Sequence, residues 1–351
     1  MRKIFFLLFT LLSSFCALHS QSIRPIRDDV GFCWNADEMD SFIKYLSVEV
    51  KDVKSNGQLI GGISVHDDYL YAGKIYYPLF SQISAKEVVI FGVTHGTVRK
   101  EMNDPKNVLI LDEHNKWIGP YGNVEISPLR ELIKNKLEKD YVMINNKAHQ
   151  IEHSIEALVP FLQFYNRDIK ITPIMITQMS YERMEDISSK LSQIILDYIK
   201  EKNLKIGNDI FFLISNDANH YGEDFSNSPY GLDADAHKTA TDNDRRIINE
   251  NLSGEIKAER IVNLTKELWT DPEGKKNIPI WCGRYPIVFG LLTINKITGK
   301  VNGKSVNGEL FGYSDTFTEK VLPFKNSSMG LTAPFSYRHW CGWFTLGLYV
   351  N

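Results

Sequence analysis

The feature that most constrains this chain is an apolar run at residues 210–214 that stops abruptly in a polar stretch. The run is rich in aromatic and β-branched side chains and lacks the alternation of a half-exposed strand. It therefore predicts a strand covered on both faces. Asp217 and His220 follow it. Because ligands in open α/β sheets bind beyond the carboxyl ends of such strands, we expect these two side chains at a functional site.

Two other apolar runs end in the same way. Residues 59–65 lead into His66, and residues 88–93 lead into Thr94 and His95. Three strands that each end in an imidazole predict a shared pocket, suited to a metal or to acid/base chemistry. A single histidine after a strand is more often a hydrogen-bonded structural residue, so the prediction depends on all three together.

Helical and strand patterns alternate along the rest of the chain. Helices are predicted over residues 36–53, 72–83, 180–200, 234–251, 258–268 and 286–295, and further strands over 108–111, 169–176 and 343–350. Asn35 is suited to cap the first helix. A helical pattern over residues 152–164 contains Pro160, which predicts a kink or a first turn there. The alternation predicts a three-layer α/β/α fold with a mostly parallel, doubly wound sheet, in one domain over residues 21–351.

The first twenty residues have the order of a secretory signal. Arg2 and Lys3 precede an apolar segment, and small residues lead to Ser20, where we expect cleavage and export. A lipid anchor at Cys16 is disfavoured because bulky Phe15 precedes it. No later apolar run is long enough to span a membrane. The remaining chain keeps 38 of its 40 basic residues and all 43 acidic ones, a charge near −5 that argues against nucleic acid as a partner.

The exported chain would keep three cysteines, an odd number for an oxidising compartment. A disulfide between Cys33 and Cys341 would leave Cys282 free. Cys282 lies in a loop that Gly283 and nearby prolines constrain, and the adjacent Arg284 would favour its thiolate.

Other polar residues have simpler explanations. Glu152 and His153 open a helical pattern, where a carboxylate is favoured by the helix dipole alone. Four histidines lack a comparable context and are expected to be surface or structural residues: His114, His149, His237 and His339. The chain has no Gly-rich phosphate loop, no HExxH and no GxSxG, so the usual support for dinucleotide enzymes, zincin proteases and α/β-hydrolases is missing.

Five motifs occur in a recognisable order: HxxYxYxG from His66, GxTH ending at His95, EHSIE from Glu152, SxDxxHYG from Ser215 and CGRxPI from Cys282. Together they resemble the Memo family, which includes the protein B members of the AmmeMemoRadiSam group. The resemblance extends from about residue 61 to the C-terminus. It implies a fold similar to that of class III extradiol dioxygenases, which hold non-haem iron with two histidines and a carboxylate.

The resemblance also implies roles for individual residues. His66, His95 and Cys282 match the metal ligands, and His220 matches the acid/base histidine, with Asp217 beside it. Imidazole and thiolate suit iron, copper or zinc. The family usually reads PHAGY at the first motif, whereas this chain has carboxylates at Asp67 and Asp68 before Tyr69. A second family histidine is replaced by Gly96.

Three functions follow as hypotheses. The first is a metal-dependent redox enzyme, with iron or copper favoured over zinc, that acts like a dioxygenase on a small substrate. The second is a zinc-type hydrolase with Asp217 or Glu152 as general base. The third is a protein that binds a peptide or small ligand, as proposed for relatives that recognise phosphotyrosine peptides. The residues expected to contact substrate are Asp67, Asp68, Tyr69, His153 and Arg284. No oligomeric state follows from the sequence.

Overall fold

A mixed β-sheet forms the middle of this computed structural model, which describes residues 22–51, 53, 57–269 and 279–350. The strands β1 to β13 are Ile23–Arg24, Gln58–Ser64, Glu87–Val93, Leu109–Leu111, Lys116–Gly119, Gly122–Ile126, Val142–Ile144, Lys170–Ile176, Ile210–Ser215, His220–Gly222, Gly254–Glu255, Asn307–Asp315 and His339–Val350. Their order is β1-β5-β6-β8-β3-β9-β2-β13-β12-β11, with β10 paired to β13 and β4 to β7 and β8. Five adjacent strands, β6 to β2 in that order, are parallel.

Eleven helices surround the sheet in the part of the chain that the structure describes. The helices α1 to α11 are Ala36–Glu49, Tyr69–Phe80, Gly96–Glu101, Pro128–Lys136, Asn146–Ile151, Val159–Tyr165, Tyr181–Lys202, Ala234–Asn251, Ala258–Leu268, Arg284–Asn302 and Thr316–Glu319. Short 3₁₀ turns lie at Glu156–Leu158 and Glu223–Phe225.

Strand β9 is buried on both faces, as its apolar run predicts. Ile210, Phe212 and Ile214 belong to an apolar core that includes residues of α7 to α10. Phe211 and Leu213 belong to a second core that includes residues of α1, α2 and α6. Because alternate residues of a strand point to opposite faces, the two cores must lie on opposite sides of the sheet. This confirms the three-layer α/β/α fold with a mostly parallel sheet.

Several helix boundaries differ from the predicted ones. The Asn35 side chain does cap α1, accepting the Glu38 amide, but the helix ends at Glu49. The helix expected at residues 72–83 lies earlier, at Tyr69–Phe80. Pro160 occupies the first turn of α6, where its missing N–H costs no hydrogen bond. Helix α10 continues seven residues beyond the expected end, to the point where Gly303 adopts a φ of +64°.

The C-terminal strand begins earlier than its apolar pattern predicts. It was expected from residue 343, but β13 starts at His339, because residues 339–341 pair antiparallel with β10. This pairing sets Cys341 opposite His220. The end of the chain therefore reaches the loop that follows β9.

The disulfide between Cys33 and Cys341 that the sequence left open is not formed: Cys33, Cys282 and Cys341 are all free thiols in the described chain. Cys33 lies near the start of α1, where its thiol is directed to the Asn35 carbonyl, whereas Cys341 lies in β13. The predicted signal, residues 1–20, lies outside the described residues. Within them, no helix has both the length and the hydrophobicity required to cross a membrane.

Candidate metal centre

Three adjacent parallel strands bring their polar ends to one edge of the sheet. His66 follows β2, Asp217 follows β9 and His95 follows β3, and β9 lies between the other two strands. The ring centroids of His66 and His95 are 5.1 Å apart. The convergence predicted from the three strand ends is therefore present in the structure.

Cys282 reaches this edge from the loop that precedes α10. Gly283 allows the approach, because a Cβ at this position would lie 2.5 Å from the Asn216 side-chain oxygen. The Cys282 Sγ lies 3.3 Å from His66 Nε2 and accepts the backbone N–H of Asp217 at 3.2 Å. Sequence periodicity gives no sign of this contact, since it joins a loop to a strand end 65 residues away.

The three proposed ligands are close enough to share an ion. One nitrogen from each of His66 and His95 and the Cys282 sulfur lie within 4.8 Å of one another. Metal–ligand bonds of about 2.0–2.3 Å at tetrahedral angles place donor atoms roughly 3.5 Å apart. The side chains present therefore fit a transition metal. Two overlapping groups meet the same criterion: Asp217 with His220 and Cys282, and His95 with Glu152 and His153.

The tautomer of His66 is determined by its hydrogen bonds. Ser215 Oγ donates its one proton to the Ser154 carbonyl at 2.7 Å, so it must accept from His66 Nδ1–H, also at 2.7 Å. His66 Nε2 therefore carries the lone pair, and it lies within hydrogen-bonding distance of Cys282 Sγ. Hydrogen bonding of the opposite ring nitrogen is the usual way in which a ligand histidine is oriented toward its metal.

His95 is oriented by a carboxylate. Glu152 accepts the His95 ring Nδ1–H at 2.7 Å and its backbone N–H at 2.9 Å, and it also accepts the amides of His153 and Ser154. Burial alone would raise the pKa of Glu152, yet the charges of His95 and His153 and these hydrogen bonds hold it well below its usual range. Glu152 is therefore a carboxylate, and it holds the His95 ring at Nδ1.

Two further histidines lie beside the ligands. His153 stacks on His95 with ring centroids 4.6 Å apart, and removal from water, then the charge of His95, lowers its pKa to about 4. His220 donates Nδ1–H to the Ala218 carbonyl, and burial lowers its pKa to about 4. Both rings are neutral at physiological pH and have a nitrogen that can accept a proton.

Two cavities flank the centre and share His95 and His220. The first, of about 430 Å³, is lined by four carboxylates: Asp28, Asp67, Asp68 and Asp217. The second, of about 410 Å³, is lined by Cys282, Arg99 and Arg284. The first will be called the acidic cavity and the second the basic cavity.

The three residues after His66 that were expected to contact substrate lie in different surroundings. Asp67 lines the acidic cavity and accepts the Trp343 indole N–H at 2.8 Å. Asp68 lines it too and accepts two hydrogen bonds from Thr332, while burial and the charge of Asp67 raise its pKa to about 7. Tyr69 lies in the aromatic core, and its hydroxyl donates to the Ala157 carbonyl. Tyr69 is therefore not among the residues that line the cavity.

The expected thiolate at Cys282 is wrong for the metal-free protein. Arg284 does lower the pKa of the thiol, but burial and then the charge of Asp217 outweigh it and raise the pKa well above its usual value. Asp217 behaves similarly: burial, followed by the charge of Asp67, raises its pKa well above normal. The Cys282 thiol therefore holds a proton that a metal ion would displace.

Three residues near the centre were not identified from the sequence. His339, expected to be structural, lines the acidic cavity and bonds Asp224. Ser215 orients His66 through a hydrogen bond. This role was not identified, although Ser215 is the first residue of the SxDxxHYG motif. Arg99 lines the basic cavity. The signal in the sequence was its position four residues after His95, which places both side chains on the same side of the short helix α3.

Comparison with known proteins agrees with this arrangement. A sequence profile for Memo-like proteins matches residues 32–321. A MEMO1 family protein of Sulfurisphaera tokodaii is 33% identical over 180 residues, which cover 49% of this chain and 57% of the relative. One from Aquifex aeolicus is 34% identical over 159 residues, 44% of this chain and 52% of the relative.

The aligned regions thus span just over half the length of these two relatives. A MEMO1 family protein from Saccharolobus islandicus is 29% identical over a longer region of 262 residues, covering 72% of this chain and 77% of the relative. Because the profile match covers most of the chain and includes all five motifs, this chain belongs to the family of Memo-like proteins.

Proposed function

We propose that this protein is a metal-dependent enzyme with dioxygenase-like redox chemistry on a small substrate. His66, His95 and Cys282 would hold the ion. Imidazole and thiolate suit iron, copper or zinc, and iron or copper is favoured because the proposed chemistry needs a redox-active metal. When bound, such a metal supplies Lewis acidity and, for iron or copper, redox chemistry toward dioxygen. Three protein ligands leave coordination positions open for other molecules.

One observation supports the proposal: each ligand histidine is held at Nδ1 by a hydrogen bond, which leaves Nε2 as the ring nitrogen that could bind a metal. Ser215 fixes His66, and Glu152 fixes His95. His66 is 1% exposed, and its Nε2 lies 3.3 Å from the Cys282 sulfur and 3.4 Å from Asp217 Oδ2, two groups that could themselves bind a metal. Glu152 fits this positioning role better than that of a general base, because its oxygens already accept four N–H groups.

His220 and Asp217 are the proposed proton carriers. His220 is neutral at physiological pH, and its Nδ1–H is held by the Ala218 carbonyl, so the opposite nitrogen would accept a proton from substrate. Asp217 Oδ2 lies 3.4 Å from His66 Nε2, and the raised pKa of Asp217 means that it holds a proton it could deliver. Asp67, Asp68 and His153 would contact the substrate from the acidic cavity.

The two alternative functions use the same pocket. A zinc hydrolase would use Asp217 to activate water, and a peptide-binding protein would use Arg284 to hold an anionic group. We also propose that residues 21–351 form one domain that is exported after cleavage near Ser20. Mass spectrometry of the mature N-terminus would test export, and an intact Met1 in a cytosolic protein would contradict it.

Elemental analysis of protein purified without a histidine tag tests the main proposal. Iron or copper near one atom per chain is the expected result, and zinc would favour the hydrolase. A metal-free protein that still binds peptide would favour the third function. His66→Ala should abolish metal binding. His237→Ala is the control, because His237 bonds Asp315 and belongs to no group of possible metal ligands among the described residues, so this variant should keep full metal content.

A further inference from the structure

The basic cavity beside the metal centre has an unbalanced positive charge. It has a volume of about 410 Å³, and Arg99 and Arg284 line it together with Cys282. No carboxylate is among its lining residues, whereas four line the acidic cavity on the other side. Other polar lining groups are the side chains of Thr94, Gln178 and Tyr285 and the rings of His95 and His220. The basic cavity therefore favours an anionic group.

Arg99 has an unused hydrogen-bonding group at this cavity. Its Nε is buried and has no hydrogen-bond partner. In the described chain its guanidinium forms no ion pair with any carboxylate. A buried N–H of a charged group that is left unpaired is costly, so an acceptor supplied from outside the chain would stabilise this arrangement.

Arg284 is similarly without an acidic partner in the described residues. One of its nitrogens donates to the Trp281 carbonyl at 3.0 Å, and the guanidinium lies 5.0 Å from the centre of the Tyr285 ring. These contacts hold the side chain in place while leaving most of its five N–H groups for another acceptor.

Three other arginines with buried or partly buried side chains are neutralised by carboxylates of the described chain. Arg24 pairs with Glu156, and Arg130 pairs with Asp112. The partly buried Arg246 pairs with Glu267. Arg99 and Arg284 depart from this pattern at the same cavity, next to the proposed metal ligands.

We infer that Arg99 and Arg284 form a subsite for the carboxylate or phosphate group of a small substrate whose other end reaches the metal centre. Guanidinium groups recognise both anions through paired N–H donors. The inference rests on the proposed function for the metal-binding end of the substrate. The anion subsite itself depends only on the two arginines.

Hydroxamates are suitable probes for this subsite, because one end of the molecule chelates the metal and the other end can carry an anion. Acetohydroxamate would bind the metal-loaded protein through its chelating group alone. Homologues that carry a carboxylate or a phosphonate on a short methylene chain would add the anion. We expect the better anionic homologue to bind about 10- to 100-fold more tightly than acetohydroxamate, the range for one charge-assisted pair of hydrogen bonds. The two homologues distinguish a carboxylate substrate from a phosphate one.

Substitution of the arginines should remove this preference. In Arg99→Gln/Arg284→Gln, both kinds of hydroxamate should bind with the affinity of acetohydroxamate for the unaltered protein. Arg27→Gln is the matched control, since Arg27 lines the acidic cavity and should leave the preference intact. Equal binding of neutral and anionic probes to the unaltered protein, or a preference that survives the double substitution, would overturn the subsite.

A second measurement tests the anion subsite independently of the proposed metal function. If acetohydroxamate fails to bind the metal-loaded protein, the proposed metal function is wrong. The subsite is then tested in metal-free protein by phenylglyoxal labelling of Arg99 and Arg284, read by mass spectrometry with and without phosphate or acetate. Protection by either anion supports the subsite, and unchanged labelling contradicts it.

Discussion

His95 and His153 stack face to face, with their ring centroids 4.6 Å apart and their planes 6° from parallel. The Glu152 carboxylate lies beside both rings, 2.7 Å from His95 Nδ1 and 3.8 Å from His153 Nδ1. One carboxylate can compensate one imidazolium, so two charged rings at this separation would repel each other. The pKa of His153 is accordingly lowered to about 4, by burial first and by His95 second.

Glu152→Gln tests whether this carboxylate positions the ligand. The amide NH₂ cannot accept the N–H groups that now converge on Glu152, so His95 should lose its orientation. We expect metal affinity to fall about 10- to 100-fold, the usual effect of removing a group that orients a ligand. Competition with a chelator measures the affinity. Glu259→Gln, on the exposed face of α9, is the control and should have no effect. Unchanged affinity in Glu152→Gln would contradict the positioning role.

Ser215→Ala makes the equivalent test on His66. Without the hydroxyl, His66 Nδ1–H loses its acceptor, and the ring is free to rotate or change tautomer. Metal affinity should fall about tenfold or more while the fold is retained. Ser188→Ala is a matched control, because Ser188 is also a fully buried serine that bonds a backbone carbonyl, but on α7. If both variants bind metal equally, Ser215 does not fix the ligand.

The sequence predicts the main part of this site because apolar runs and strand ends are local features. Residues 210–214 predict a strand that is buried on both faces, and Asp217, which follows this strand, lines the acidic cavity. The ligand role of Cys282 came only from the family resemblance, since its contact with Asp217 depends on how a distant loop packs. His339 was missed for a similar reason: the pairing of β10 with β13 is long-range. Glu152 was visible, but the direction of its carboxylate depends on tertiary packing.

Asp244 should make stability depend on pH. It is fully buried, and although Trp281 and Tyr313 donate hydrogen bonds to it, burial dominates and raises its pKa to about 7. The folded state therefore binds this proton more tightly than the unfolded state, whose aspartates titrate near pH 3.9. Stability should fall as the pH rises from about 4 to about 7, by a few kcal/mol at most.

Urea unfolding at several pH values measures this dependence. Asp67, Asp68 and Asp217 also have raised pKa values and contribute in the same direction. Asp244→Asn should therefore reduce the slope without abolishing it. Asp186→Asn, on the exposed face of α7, should leave the slope unchanged. A slope identical in Asp244→Asn and the unaltered protein would mean that Asp244 is already ionised at pH 4.

The last prediction concerns the proton on Cys282. Because burial raises the pKa of this thiol well above its usual value, a metal ion must displace the proton before the sulfur can bind. Metal affinity should therefore rise with pH, about tenfold per pH unit for one displaced proton. Cys282→Ser should bind metal weakly and with a smaller pH dependence, whereas Cys33→Ser should behave like the unaltered protein, since Cys33 lies near α1. In metal-free protein under reductant, alkylation of Cys282 should be slow at neutral pH and accelerate only in alkaline solution. Bound metal should suppress the alkylation at every pH.

One pair of results would contradict the ligand role of Cys282: full metal content with the same pH dependence in Cys282→Ser, and equal alkylation with and without metal. The ligand-binding function would then become the better explanation of this pocket.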